Sequence, residues 1–81
     1  MRLLDLSFNH IETIPYDTFR FKELERLLLD DNRIETVDKQ AFVEMTRLQY
    51  LSLEGNKIVE LPDEAFQNLH ALQHLNLAYN R

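Results

Sequence analysis

Four asparagines, Asn9, Asn32, Asn56 and Asn80, recur at intervals of 23, 24 and 24 residues. At such a period a chain builds one supersecondary unit after another instead of closing a single core. The register extends well beyond these four. Paired leucines two residues apart precede each asparagine: Leu4 and Leu6, Leu27 and Leu29, Leu51 and Leu53, Leu75 and Leu77. After the first three come Ile11, Ile34 and Ile58, then Ile14, Val37 and Leu61, then Phe19, Phe42 and Phe66.

Each column has a physical reading. Leucines at period two put Leu4 and Leu6 on one face of a short strand and Leu3, Asp5 and Ser7 on the other. One strand per repeat cannot bury its apolar face alone, so successive strands must stack in parallel about 4.8 Å apart. The asparagines stand where the chain leaves the strand and its backbone groups lose their ladder partners while remaining buried. A carboxamide both donates and accepts. Asn9, Asn32, Asn56 and Asn80 are therefore predicted to form a structural ladder, whereas Asn68, off the column, is predicted to be exposed. Phe19, Phe42 and Phe66 fall on the return path and are predicted to stack as an aromatic spine. The segment 62–66, with Pro62 followed by Asp63 and Glu64, reads as a short helical or 3₁₀ turn.

The pattern L-x-x-L-x-L-x-x-N-x-I-x-x-L-P-x-x-x-F-x-x-L resembles the leucine-rich repeat family in its 24-residue form, over the whole chain. Met1, Leu24, Leu48 and Leu72 fill its opening position, and Pro15 and Pro62 its proline column, with Asp38 the departure. One residue fewer separates Phe19 from Leu24, so Phe21 is expected in the slot of Met45 and Leu69. The resemblance implies an α/β solenoid, with a curved parallel β-sheet on the concave side and loops and short 3₁₀ or helical turns on the convex side. A single segment, 1–81, is expected, with repeats 1–23, 24–47 and 48–71 and a partial repeat 72–81. It reads as a piece of a longer array whose uncapped ends, at the strands of Leu4 and Leu75, invite self-association.

Nine basic against fourteen acidic residues give a net charge of −5, the wrong sign for broad phosphate neutralisation, which argues against a nucleic-acid partner. No apolar run approaches the roughly 20 residues that span a bilayer, so no direct membrane insertion is expected of this segment. Cysteine is absent, which removes disulfide and thiolate–zinc frameworks along with the usual clue to compartment.

Catalytic chemistry finds little support. His70 and His74 have helical metal-pair spacing, but the register puts one in a loop and the other on a strand. Ser7 and Ser52 have no activating partner in the sequence. Asp30, Asp31 and Glu54 gather on neighbouring repeats, as a hard-cation site or as a solvated acidic patch. Gly55 stands alone and carries no phosphate-loop signal. No enzyme, cofactor or metal site is expected.

Positions outside the columns are free to vary. On the open sheet face they form one row of Leu3, Arg26, Tyr50 and His74 and a second of Asp5, Leu28, Ser52 and Asn76, with Asp30 beyond. The predicted contact surface for a protein ligand is Asp5, Arg26, Leu28, Asp30, Tyr50, Ser52, His74 and Asn76, its rows chemically mixed as recognition surfaces are. Phe8 and Tyr79 are further apolar groups the repeat does not require. Arg26 and Tyr50 hold the same strand position on adjacent repeats, close enough for a guanidinium to lie against the ring. His10, Arg33, Lys57 and Arg81 follow the asparagines and are expected to form a charge network with Asp30, Asp31 and Glu54. The resemblance implies a non-catalytic protein-binding module of the kind found in cell-surface receptor and adhesion ectodomains. The residues leave open two alternatives: structural spacer repeats within a larger horseshoe, and a cytoplasmic scaffold.

Overall fold

The computed structural model describes residues 1–16 and 18–81. Six short strands appear: β1 (Leu3–Asp5), β2 (Thr13–Ile14), β3 (Arg26–Leu28), β4 (Thr36–Val37), β5 (Tyr50–Ser52) and β6 (His74–Asn76). The main sheet runs β1-β3-β5-β6, and every pair in it is parallel. Its register aligns the leucine column, Leu4 with Leu27, Leu27 with Leu51 and Leu51 with Leu75. The fold is the expected solenoid of parallel strands.

Stacking decides burial. Leu27, Leu29, Leu51 and Leu53, with a repeat on either side, are wholly buried, whereas Leu75 and Leu77 in the last repeat remain 40% and 36% exposed. A fully buried leucine contributes about 1.5–3 kcal/mol, so the two middle repeats hold most of the apolar stabilisation. Phe19, Phe42 and Phe66 form the expected spine, their rings stacked with centroids 6.0 Å apart at each step and tilted by only 4° and 17°.

The asparagines form the ladder. Asn56 donates to Leu29 O and Leu53 O at 3.0 and 2.9 Å and accepts from Ile34 N–H at 3.1 Å, joining two repeats through one side chain. Asn80 does the same for Leu53 O and Ile58 N–H. Asn9, in the first of these repeats, bonds within its own turn. It is exposed and donates locally to Leu6 O and Ser7 O. Asn68 departs from expectation: it is half-buried and donates to Val43 O at 3.4 Å.

The residue before each asparagine turns the chain off the strand through a left-handed conformation, with φ of 59° at Phe8, 54° at Asp31, 73° at Gly55 and 58° at Tyr79. Only Gly55 adopts it without steric cost. A Cβ there would stand 2.4 Å from Asp31 Oδ1 and displace that carboxylate. Gly55→Ala is therefore expected to destabilise by about 1 kcal/mol or more in denaturant melts.

Away from the main sheet, β2 and β4 form a second parallel ribbon, pairing Thr13 with Thr36 and Ile14 with Val37. The leucine columns gave no sign of it, although Thr and Ile or Val, side by side in both repeats, are β-branched and suit a strand. Asp38 N–H closes the ribbon on Ile14 O at 2.8 Å. The equivalent residue one repeat later is Pro62, which has no N–H to give, and among the described residues the third repeat adds no strand to this ribbon.

The convex segments are overlapping i→i+3 turns that do not merge into a helix. Ala41 and Met45 donate to Asp38 O and Phe42 O in one repeat, and Ala65 and Leu69 to Pro62 O and Phe66 O in the next, all at 3.1–3.2 Å. Phe21 holds the backbone slot of Met45 and Leu69, since Leu24 N–H donates to Phe21 O at 3.0 Å. Its side chain does not fill the slot. Phe21 is 40% exposed whereas Met45 is wholly buried, and the loop that carries it is one residue shorter.

Candidate functional site

The row Leu3, Arg26, Tyr50 and His74 lies across the four strands in direct register. The Arg26 guanidinium stands 5.1 Å from the centroid of the Tyr50 ring. On its other side the Tyr50 ring meets the His74 imidazole at 5.8 Å, tilted by 42°. Arg26 and His74 are exposed and Tyr50 half-buried, and half-buried Leu28 flanks them in the next row. Parallel strands dictate this geometry, since residues at one register position stand about 5 Å apart at their Cα atoms. The row thus presents a cation, a phenol and an imidazole as one continuous ridge.

The second row behaves otherwise. Ser52 is buried, at 1% exposure, and its hydroxyl donates to the Asp30 carboxylate. That corrects the expectation that Ser52 faces a ligand: the larger Leu28 and Asn76, its partners on the neighbouring strands, flank it on both sides. Asp30 Oδ1 also accepts from Glu54 N–H at 3.2 Å, and Asp30 N–H donates to Ser7 Oγ at 3.2 Å. Asn76 donates to Glu54 Oε1 and accepts from Ala78 N–H, both at 2.9 Å. Asp5 accepts from Ser7 N–H at 2.9 Å, and that backbone hydrogen bond holds its carboxyl below the usual carboxylate range. Just past the strand ends the chain turns, and N–H groups there lack ladder acceptors. Asp5, Asp30 and Asn76 supply them, so these three residues and Ser52 serve the repeat itself.

This arrangement also separates the charges. The network expected between His10, Arg33, Lys57 and Arg81 and the acids Asp30, Asp31 and Glu54 does not form. Among the described residues the ion pairs are Arg2–Glu25 and Arg20–Glu44, both at 3.7 Å, and Arg47–Glu23 at 2.5 Å. Asp30 and Glu54 are held on the sheet side by their hydrogen bonds. Among the described residues no three His, Asp or Glu side chains gather as metal ligands, and no helix is long and apolar enough to cross a membrane.

Of the eight residues expected to meet a ligand, Arg26, Tyr50, His74 and Leu28 remain as a surface the repeat does not use. Ser7 and Glu54 complete the strand-end network, a role the sequence reading does not give them: there Ser7 is a serine without an activating partner and Glu54 part of an acidic group. Their signal was available, because both lie close ahead of the left-handed column, where a turn needs polar partners. The family model described as Leucine rich repeat matches residues 1–58 and again residues 22–81.

Proposed function

This chain belongs to the leucine-rich repeat family, and from that premise we propose that its open sheet face binds a protein ligand through Arg26, Tyr50, His74 and Leu28. Repeats of this family generally mediate protein–protein contact without catalysis. The observation that carries the assignment to this face is the Arg26–Tyr50–His74 ridge, which neither the core nor the strand-end network requires. Tyrosine and arginine are enriched among residues that dominate binding energy, and Leu28 supplies apolar area beside them. The setting proposed for the parent protein is the cell surface or the extracellular space, on family likeness, and the segment itself is taken to be non-enzymatic.

Tyr50→Ala or Arg26→Ala, made in the parent protein, is expected to weaken ligand binding by at least about 1 kcal/mol while leaving the melting temperature nearly unchanged. Gln67→Ala, on an exposed convex turn, should change neither. The ligand is first captured by a photo-crosslinker in place of exposed Leu3, at the end of the same row. Surface plasmon resonance then compares the three variants. One finding favours the spacer reading: four of the eight expected contact residues complete the repeat's own hydrogen bonding. Unaltered affinity in both Tyr50→Ala and Arg26→Ala would establish that reading instead.

A further inference from the structure

Among the described residues the β2–β4 ribbon stops at β4, with no strand beside its outer edge. Two rungs flank the paired residues of the ribbon, Glu35 N–H to Glu12 O at 2.9 Å and Asp38 N–H to Ile14 O at 2.8 Å. Their counterparts one repeat on would run from Val59 N–H to Glu35 O and from residue 62 to Val37 O. The second cannot form because residue 62 is proline, and among the described residues the first is not made either. Just upstream the two repeats are joined normally, by Lys57 N–H to Ile34 O at 2.9 Å. The chain therefore parts at a defined point, and a cleft of about 550 Å³ opens there. Glu35, Thr36 and Val37 line one side and Val59, Glu60, Leu61 and Pro62 the other, with Lys57 and Arg81 completing it.

We propose that this cleft receives an extended peptide segment of about five residues, which adds to β4 as the ribbon's missing third strand. A bare strand edge is a template for such pairing, and here the carbonyls of Glu35 and Val37 stand where a third strand would donate. The volume falls within the range of about 300–1,000 Å³ typical of ligand pockets. Val59, 68% exposed, and half-buried Leu61 give an apolar wall for the peptide's alternate side chains. Charge sets its polarity. Lys57 and Arg81 share the column directly after the asparagine, whereas Glu60 stands three residues further on, about 10 Å along an extended path. Among the described residues none of Lys57, Arg81, Glu35 and Glu60 joins an ion pair. The occupant running parallel to β4 thus carries an acidic residue at its start and a basic residue near its end. This site is separate from the sheet-face ridge and does not depend on it.

The probe is acetyl-Glu-Val-Thr-Val-Lys-amide, titrated into the isotope-labelled 81-residue chain and followed by amide chemical shifts. Shifts are expected at Glu35, Thr36, Val37 and Val59 and not at Tyr50. Pro62→Ala restores a donor to Val37 O and lets the third repeat close the ribbon, so affinity should fall at least about tenfold as the new amide at position 62 gains exchange protection. Lys57→Glu combined with Arg81→Glu should weaken binding at least about fivefold at an unchanged melting temperature. An analogue N-methylated at the donating amides should not bind. The proposal is overturned by no response at millimolar peptide, by shifts confined to another face, or by equal binding of the N-methylated analogue. A dimer in sedimentation with the cleft amides protected would assign the edge to a second copy of this chain and equally overturn it.

Discussion

Phe42→Ala is expected to destabilise the chain by about 3–5 kcal/mol, the largest effect of any single truncation proposed for it. Phe42 is 1% exposed and lies between two parallel rings, Phe19 and Phe66, each 6.0 Å away. Truncation removes the apolar surface of one ring and the stacking partner of two others. Ala41 and Met45 of the same core cluster are also essentially buried, and a solenoid cannot collapse into the space left behind without shifting the strands stacked above and below. Set against a total of about 5–15 kcal/mol for a domain of ordinary stability, such a loss is enough to unfold a substantial fraction of the chain. The contrast is Phe21→Ala, at a ring already 40% exposed, for which about 1 kcal/mol is expected. Urea unfolding of the two variants followed by circular dichroism measures the difference. Similar midpoints would mean that the spine packs loosely and that the ring stack adds little.

The parts of this fold legible in the sequence are those set by repetition. A leucine pair recurring in register can be buried only by stacking, so the sheet, its parallel sense and the residue pairs on each rung followed directly. The aromatic spine followed for the same reason. The contact surface was half legible. Alternation along a strand correctly put Ser52 on the open face, but direction is not exposure: the neighbours on adjacent strands, Leu28 and Asn76, decide what reaches solvent. The turn role of Asp5, Asp30 and Asn76 was not legible because strands of three residues end almost where they begin, and the turn that follows takes the nearest polar side chains as partners.

The proline column carried a meaning that the pattern alone inverted. Asp38 looked like the departure from a regular position held by Pro15 and Pro62. In the folded chain Asp38 makes the ribbon possible, because its N–H bonds to Ile14 O, and Pro62 is where the ribbon ends. A side-chain column records packing well and backbone donors poorly. The second ribbon and its cleft are therefore properties of the folded backbone that no side-chain column carries.

Asn32→Ala is expected to cost about 3 kcal/mol, far more than the same change at Asn9. The Asn32 carboxamide is 6% exposed and makes five bonds. Its oxygen accepts from Asn9 N–H at 3.1 Å and Ile11 N–H at 3.2 Å, and its nitrogen donates to Leu6 O and Leu29 O at 3.1 Å and to Asp30 O at 3.2 Å. Each buried group left unpaired costs about 1–3 kcal/mol. Leu29 O lies in the core, whereas groups nearer the surface, such as Asn9 N–H, recover part of that loss from water. The sum is therefore well below five full penalties. Asn9 is exposed and, among the described residues, its side chain bonds to Leu6 O and Ser7 O alone, so about 1 kcal/mol or less is expected for Asn9→Ala. Asn32→Asp separates hydrogen bonding from shape: it keeps the volume and the accepting oxygen but turns a donor into an acceptor facing three carbonyls. If the ladder works through its donors, Asn32→Asp must destabilise at least as much as Asn32→Ala near neutral pH. Denaturant midpoints for the three variants test the order, and an aspartate variant as stable as the parent would show that the column is kept for its size and turn preference alone.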